Sequence, residues 1–131
     1  QHFATEWLVR YRKERNPLPA IALSTDTSTI TAIGNDYSFE DIFGRQVRAL
    51  GNAGDLLVAF STSGSSKNIV NAVSEAKKKN MKIILLTRAK GKNFIGANLV
   101  IAVPSEETAR IQEVHELIYH AWCEYFDHYL S

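Results

Sequence analysis

The chain has 131 residues, 45% of them hydrophobic and 22% charged, with a formal net charge of +1. That is the make-up of one globular domain with a real core, and the small net charge gives no electrostatic reason to invoke nucleic acid or a membrane surface. The single cysteine, Cys123, excludes an internal disulfide and fits a reducing, cytoplasmic setting, and no apolar run approaches the roughly 20 residues of a membrane span.

In chain order, Phe3, Trp7 and Tyr11 recur every four residues, so 1–12 reads as a helix that Asn16-Pro17-Leu18-Pro19 ends. Gln1 opens the chain inside that helix, and an N-terminal portion is expected to precede it. Ala20–Leu23 reads as a short strand followed by a polar run, Ser24–Thr29. Thr29–Ile33 fits either strand or helix, and Gly34-Asn35-Asp36 is a turn signal. Phe39–Leu50 reads as one helix with Phe39, Ile42, Phe43, Val47 and Leu50 on one side. Leu56–Phe60 is a continuous apolar strand, and Lys67–Lys79 a helix with Ile69, Val70, Val73 and Ala76 on one face. Met81–Thr87 is another buried strand. Arg88–Gly96 is a basic connector with room for a short helix. Leu99–Val103 is a further strand, stopped by Pro104. Glu106–Leu130 is a long amphipathic helix carrying Ile111, Val114, Leu117, Ile118, Ala121, Trp122, Tyr125 and Tyr129.

Strands alternating with helices predict an α/β three-layer sandwich, a parallel sheet flanked by helices with right-handed crossovers. Ligands of such sheets sit beyond the carboxyl ends of the strands, where Ser24–Thr29, Ser61–Ser66 and Thr87–Gly91 fall. The densest signal is Ser61-Thr62-Ser63-Gly64-Ser65-Ser66, five hydroxyls and a glycine where a strand hands over to a helix. Free N–H groups and the positive end of the helix dipole suit an anion such as phosphate there. One hydroxyl would suffice for a plain N-cap, and the other four exceed that need.

Among ionisable residues, His2 and Glu6 share a helix face, and Gln112, Glu116 and His120 recur every four on the last helix. A histidine and a carboxylate at this spacing can share a proton or an ion, or be a surface pair of no consequence. Spacing alone leaves the two readings open.

His2-Phe3-Ala4-Thr5-Glu6, Arg10-Tyr11-Arg12, Pro19–Leu23, Gly34-Asn35-Asp36, Ser61-Thr62-Ser63-Gly64 and Arg110-Ile111-Gln112-Glu113-Val114-His115 together resemble the phosphoheptose isomerases of the sugar-isomerase (SIS) superfamily. The resemblance spans the chain in order. It implies a single flavodoxin-like SIS domain over 1–131 that lacks the family's N-terminal helices, first strand and Gly-Asn-Gly-Gly-Ser loop. It implies an aldose–ketose isomerase that converts sedoheptulose 7-phosphate to D-glycero-D-manno-heptose 7-phosphate for lipopolysaccharide, in a cytoplasmic homotetramer with shared active sites. Carried over residue by residue, Glu6 resembles the general base and His120 the general acid. Ser61, Thr62, Ser63 and Ser66 resemble the phosphate cradle, and Glu6, Asn35, Asp36 and Gln112 the sugar contacts. Some members bind zinc through residues matching His2, Glu6, Gln112 and His120, with no organic cofactor. Gln112 and His120 are about 12 Å apart along a straight helix, so one ion joins them only if their side chains converge or subunits share ligands.

Two other readings share parts of this pattern. A non-catalytic SIS paralogue that binds a replication initiator is similar at Gln46–Gly51, but its pattern lacks the residues matching Glu6 and His120 and has a bulky basic residue at the position of Ser63. A sugar-phosphate-sensing regulatory domain would use Ser61–Ser66 and need neither Glu6 nor His120.

Overall fold

The computed structural model of the chain describes residues 1–90 and 96–130. Three strands, β1 (Leu56–Ser61), β2 (Lys82–Arg88) and β3 (Leu99–Val103), form a parallel sheet in that order. The register sets Ala59 opposite Leu85 and Ser61 opposite Thr87, so the hydroxyl-rich loop leaves the sheet beside the end of β2. The helices are α1 (His2–Leu8), α2 (Thr27–Asp36), α3 (Gly44–Leu50), α4 (Lys67–Lys78) and α5 (Thr108–Tyr129), with a 3₁₀ turn at Phe39–Asp41.

Alternation along the strands divides the core between two layers. Ala59, Ile83 and Leu85 pack against Ala72, Val73 and Ala76 of α4 and Val47 of α3. The two alanines leave α4 close to the sheet. On the opposite face the Phe60 ring meets His115 and Tyr119 of α5. Asn80, with φ 56°, turns the chain out of α4 in the left-handed region that asparagine tolerates. The expected sandwich of a parallel sheet between helices is the fold observed.

Several local expectations change. The first helix stops at Leu8 rather than reaching Arg12: Leu18 N–H donates back to Trp7 O, and the Arg15 guanidinium takes the carbonyls of Glu6 and Trp7. Tyr11 therefore lies outside it. Ala20–Leu23 is not a strand. It has no ladder partner among the described residues, and Leu23 O is taken by the buried Gln46 side chain, which also holds Ile42 O. The ambiguous Thr29–Ile33 is helical, because Asp26 caps α2 by accepting from Thr29 N and Thr29 Oγ1. Gly34-Asn35-Asp36 forms the last turn of that helix rather than a free turn. Phe39–Leu50 is split, because Ser38 caps the 3₁₀ turn while Asn71 of α4 donates to Glu40 O and Asp41 Oδ1. Phe39 and Leu50 are exposed, whereas Ile42 and Val47 are buried. Val70, expected on the buried face of α4, is exposed as well. The short helix allowed within Arg88–Gly96 would fall on 91–95, outside the described residues.

The last helix holds the largest difference. Its buried line is Ile111, His115, Tyr119, Cys123 and Asp127, a strict fourfold spacing. Leu117, Tyr125 and Tyr129 of the expected apolar stripe are exposed. Two polar residues thus occupy core positions that an apolar periodicity cannot reveal.

Candidate active site

A cavity of about 390 Å³ opens at the carboxyl ends of the strands, lined by Phe60, Ser61, Thr62, Ser66, Gln112, His115, Glu116 and Tyr119. One wall is the loop between β1 and α4. Ser61 Oγ donates to Ser66 Oγ at 3.4 Å, and Ser63 Oγ is 3.2 Å from Ser66 Oγ. Gly64, with φ 66°, turns its N–H onto Ser61 Oγ, and Ser65 N–H donates to Ser63 Oγ. An L side chain is strained at that φ, which explains the glycine in a run of hydroxyls. Ser66 is the N-cap residue of α4, but its side chain makes no cap hydrogen bond. The hydroxyls face one another, and the first turn of a 12-residue helix keeps donors for a ligand.

The other wall is α5, with α1 laid across it. His2 Nε2 is 2.9 Å from Glu6 Oε1 and 3.5 Å from His120 Nε2. One ligand atom from each of His2, Glu6 and His120 lies within 4.8 Å of the others. Behind them, His2 Nδ1 is 3.0 Å from the Tyr119 hydroxyl and 3.3 Å from Glu116 Oε1. Burial, with the Glu116 carboxylate beside it, pushes the Tyr119 hydroxyl up to about 12, so it stays protonated at neutral pH. A hydroxyl and a carboxylate on the far nitrogen orient an imidazole in the way that metal-binding histidines are oriented. These three donors fit a zinc ion in type and in mutual distance. The Tyr11 ring stacks on His120 at 5.4 Å, although Tyr11 is beyond α1.

The residues expected from the sequence divide into three groups. Ser61, Thr62, Ser66 and Gln112 line the cavity, with Ser63 bonded to Ser66. His2, Glu6 and His120 form the cluster, next to the cavity through Tyr119 and Glu116. Gln112 lies with the serine loop, eight residues before His120 along α5. Asn35 and Asp36 are exposed at the end of α2, bonded to each other at 2.7 Å, and do not line the cavity. Nor does Ser24–Thr29, where Asp26 and Thr29 form the cap of α2 and Thr25 donates to Ala22 O.

His115, at the end of the Arg110–His115 motif, carries no site role in the sequence reading, yet it lines the cavity at 4% exposure, and its Nε2 has no hydrogen-bond partner among the described residues. Burial lowers its pKa and outweighs a hydrogen bond to the backbone of Thr87, so the ring is neutral at pH 7. Its place three residues after Gln112, on the cavity side of α5, was the available signal.

A parallel sheet flanked by helices, with a hydroxyl-lined loop at the end of β1 beside a carboxylate–imidazole cluster, defines an α/β protein whose polar residues gather where doubly wound folds bind their ligands. The SIS domain family matches residues 1–88. The chain is 53% identical to the phosphoheptose isomerase of Alteromonas mediterranea, across 97% of this chain and 66% of that protein. It is 54% identical to the phosphoheptose isomerase of Shewanella loihica over the same shares. Among solved structures, a phosphoheptose isomerase from Francisella tularensis superposes with a TM-score of 0.91 at 46% identity, covering 98% of this chain and 69% of that one. The corresponding structure from Neisseria gonorrhoeae gives 0.88 at 46% identity, over 97% and 68%. The chain belongs to the phosphoheptose isomerase family of SIS-domain proteins. It spans about two thirds of the length of these relatives. None of its described helices is long and apolar enough to cross a membrane.

Proposed function

We propose that the full protein is an aldose–ketose isomerase that converts sedoheptulose 7-phosphate to D-glycero-D-manno-heptose 7-phosphate, toward the heptose of lipopolysaccharide. The observation that carries this reading is the meeting of Glu6 with His120, from opposite ends of the chain, beside the cavity of the Ser61–Ser66 loop. A sugar-phosphate sensor needs the loop alone, and neither a sensor nor an interaction scaffold has a use for that pair.

In this reading Ser61, Thr62, Ser63 and Ser66, with the first turn of α4, hold the phosphate and thereby place the other end of the sugar at the cluster. Glu6 takes the proton from C1 of the ketose, leaving an enediol, and returns it to C2. His120 gives a proton to O2 and accepts one from O1, so the two carbons exchange oxidation states and no outside oxidant is needed. Each such acid–base group is worth about 10² to 10⁴ in rate. Gln112, on the cavity wall, is placed to contact the sugar chain between the two ends. His2, Glu6 and His120 would hold a zinc ion, one per subunit, while Gln112 of the expected ligand set lies with the serine loop. When bound, the ion would supply polarisation of the carbonyl. Asn35 and Asp36 are exposed at the end of α2, which fits a contribution to a neighbouring subunit's site in a homotetramer.

The test is turnover of sedoheptulose 7-phosphate by the full-length protein, with and without a chelator, beside Glu6→Gln. Turnover by the unaltered protein is expected, with a loss of at least about 10²-fold in Glu6→Gln and nearly unchanged sugar-phosphate binding. An inactive unaltered protein, assayed with zinc supplied, refutes the isomerase reading. Full turnover in Glu6→Gln refutes the base.

A further inference from the structure

The helix that carries Glu6 and His2 is weakly anchored by ordinary means. It has seven residues, none of them fully buried, and the side chain of its N-cap residue, Gln1, makes no cap hydrogen bond. Isolated helices of that length are unstable in water. Ring contacts give it one tie to α5, between Phe3 and Tyr119 at 5.1 Å and between Trp7 and Phe126 at 5.0 Å. Ring contacts alone allow sliding along and rotation about the helix axis; His2 bonds Tyr119 and Glu116 of α5 at the N-terminal end, which leaves the C-terminal end, where Glu6 sits, to be held by other means.

The tie at that end is directional. Arg15 Nη2 donates to Glu6 O at 2.6 Å, and Nη1 donates to Trp7 O at 3.0 Å and to Asn16 O at 3.1 Å. A guanidinium therefore satisfies the last-turn carbonyls of α1, at the negative end of its dipole. One of those carbonyls belongs to Glu6 itself. Arg15 Nε donates in turn to Asp127 Oδ1 at 3.3 Å, with the two side chains 4% and 3% exposed. Asp127 Oδ2 accepts from Arg12 N and Lys13 N, at 2.8 and 2.9 Å. Asp127 belongs to the buried line of α5, two turns beyond Tyr119, which meets His2. A chain of directional bonds thus runs from α5, through Asp127 and Arg15, to the backbone of Glu6.

We infer that the Arg15–Asp127 pair is a positioning device that fixes the rotation and height of α1, holding Glu6 and His2 in register with His120. The inference rests on the isomerase reading for its effect on rate, but its structural half stands without it. A planar guanidinium with several donors does this work, and an ammonium cannot reach all the same carbonyls at once. The phosphate loop, built from β1 and α4, has no part in the device.

The test compares Arg15→Lys, Arg15→Met and Asp127→Asn in the full-length protein, assayed below each variant's melting midpoint. Kinetics are read together with hydrogen exchange resolved for α1 and for α4. In Arg15→Met, amides of α1 are expected to exchange at least about tenfold faster while those of α4 are unchanged. On sedoheptulose 7-phosphate kcat is expected to fall about 10- to 100-fold with KM within about threefold, since a displacement near 1 Å costs about that much. Arg15→Lys should recover only part of this, and Asp127→Asn, which keeps acceptors for Arg12 and Lys13, should fall between. Unchanged α1 exchange in Arg15→Met, or unchanged kcat, overturns the inference. A parallel rise in α4 exchange also overturns it, by showing a general structural role. An inactive unaltered protein removes the isomerase reading instead, and the exchange data then still decide whether the pair holds α1.

Discussion

Ser66→Ala separates a ligand-binding hydroxyl from a helix cap. At an ordinary N-cap the loss of a serine hydroxyl costs about 1 kcal/mol. Here the Ser66 hydroxyl makes no capping bond and faces Ser63 and Ser61 at 3.2 and 3.4 Å. Both neighbours keep a backbone partner without it, Ser61 through Gly64 N–H and Ser63 through Ser65 N–H. The expected stability change is therefore small, about 0.5 kcal/mol or less, in the range of sites with no special role. Binding is different. A hydrogen bond to a charged group is worth about 1.5–3 kcal/mol, so phosphate-ester affinity should drop about 10- to 150-fold. The control is Asp26→Ala, which removes a cap that accepts from Thr29 N at 3.0 Å and Thr29 Oγ1 at 2.6 Å. It should cost about 1 kcal/mol with unchanged binding. Urea denaturation gives the stabilities, and inhibition by inorganic phosphate gives the affinities. If Ser66→Ala loses about 1 kcal/mol and binds phosphate as before, the loop is a helix cap and the anion argument fails.

Three further outcomes are expected. His120→Asn should lower kcat by at least about 10²-fold and change KM little, in steady-state assays of the full protein; a pure KM effect would remove His120 from the chemistry. Cys123 is buried, and burial pushes its thiol up to about 11, so a thiol reagent at pH 7 should label it only as the protein unfolds; rapid labelling without unfolding contradicts its placement in the core. His115 has a pKa held below its ordinary 6.5 by burial, so the unfolded chain takes up a proton at a higher pH than the folded one. Its contribution is complete above about 6.5 and is lost as pH falls through the lower, folded value; urea midpoints between pH 7.5 and 5.5 should therefore slope less in His115→Gln than in the unaltered protein, and equal slopes would show that the ring is not buried as a neutral group.

The elements legible in the sequence were those with one dominant period. Leu56–Phe60 and Ile83–Leu86 are uninterrupted apolar runs of strand length, and they became β1 and β2 within a residue or two. The errors arose where a side chain from elsewhere decides the backbone. Gln46 takes the carbonyl of Leu23, Asn71 grips the turn at Glu40 and Asp41, and Arg15 ends α1. Local periodicity holds no trace of such partners. The same limit hid the buried line of α5. His115 and Asp127 interrupt the line of Ile111, Tyr119 and Cys123, so the stripe does not read as apolar although its spacing is regular. The serine loop was legible because strand, hydroxyls and helix are contiguous. The meeting of Glu6 and His120 was legible only through the family resemblance, since spacing says nothing about helices at opposite ends of a chain.

The two walls of the site are held by different means, and that difference has a functional consequence. The serine loop joins a strand in the sheet to a helix anchored by Ala72, Val73 and Ala76 in the main core. The cluster wall depends on a seven-residue helix with no fully buried residue, tied to α5 by ring contacts, by the bonds of His2 to Tyr119 and Glu116, and through Arg15 to Asp127. Local opening is cheapest where buried apolar contact is least, so α1 is the part of the site with the lower opening energy. Loss of packing near β1 and α4 should weaken phosphate binding and global stability together. Loss of packing around Trp7 and Phe126 should instead lower kcat while leaving phosphate binding intact. A set of core substitutions split between those two regions would sort into those two kinetic classes if the walls are independent. A single mixed class would show that α1 and the serine loop open as one unit.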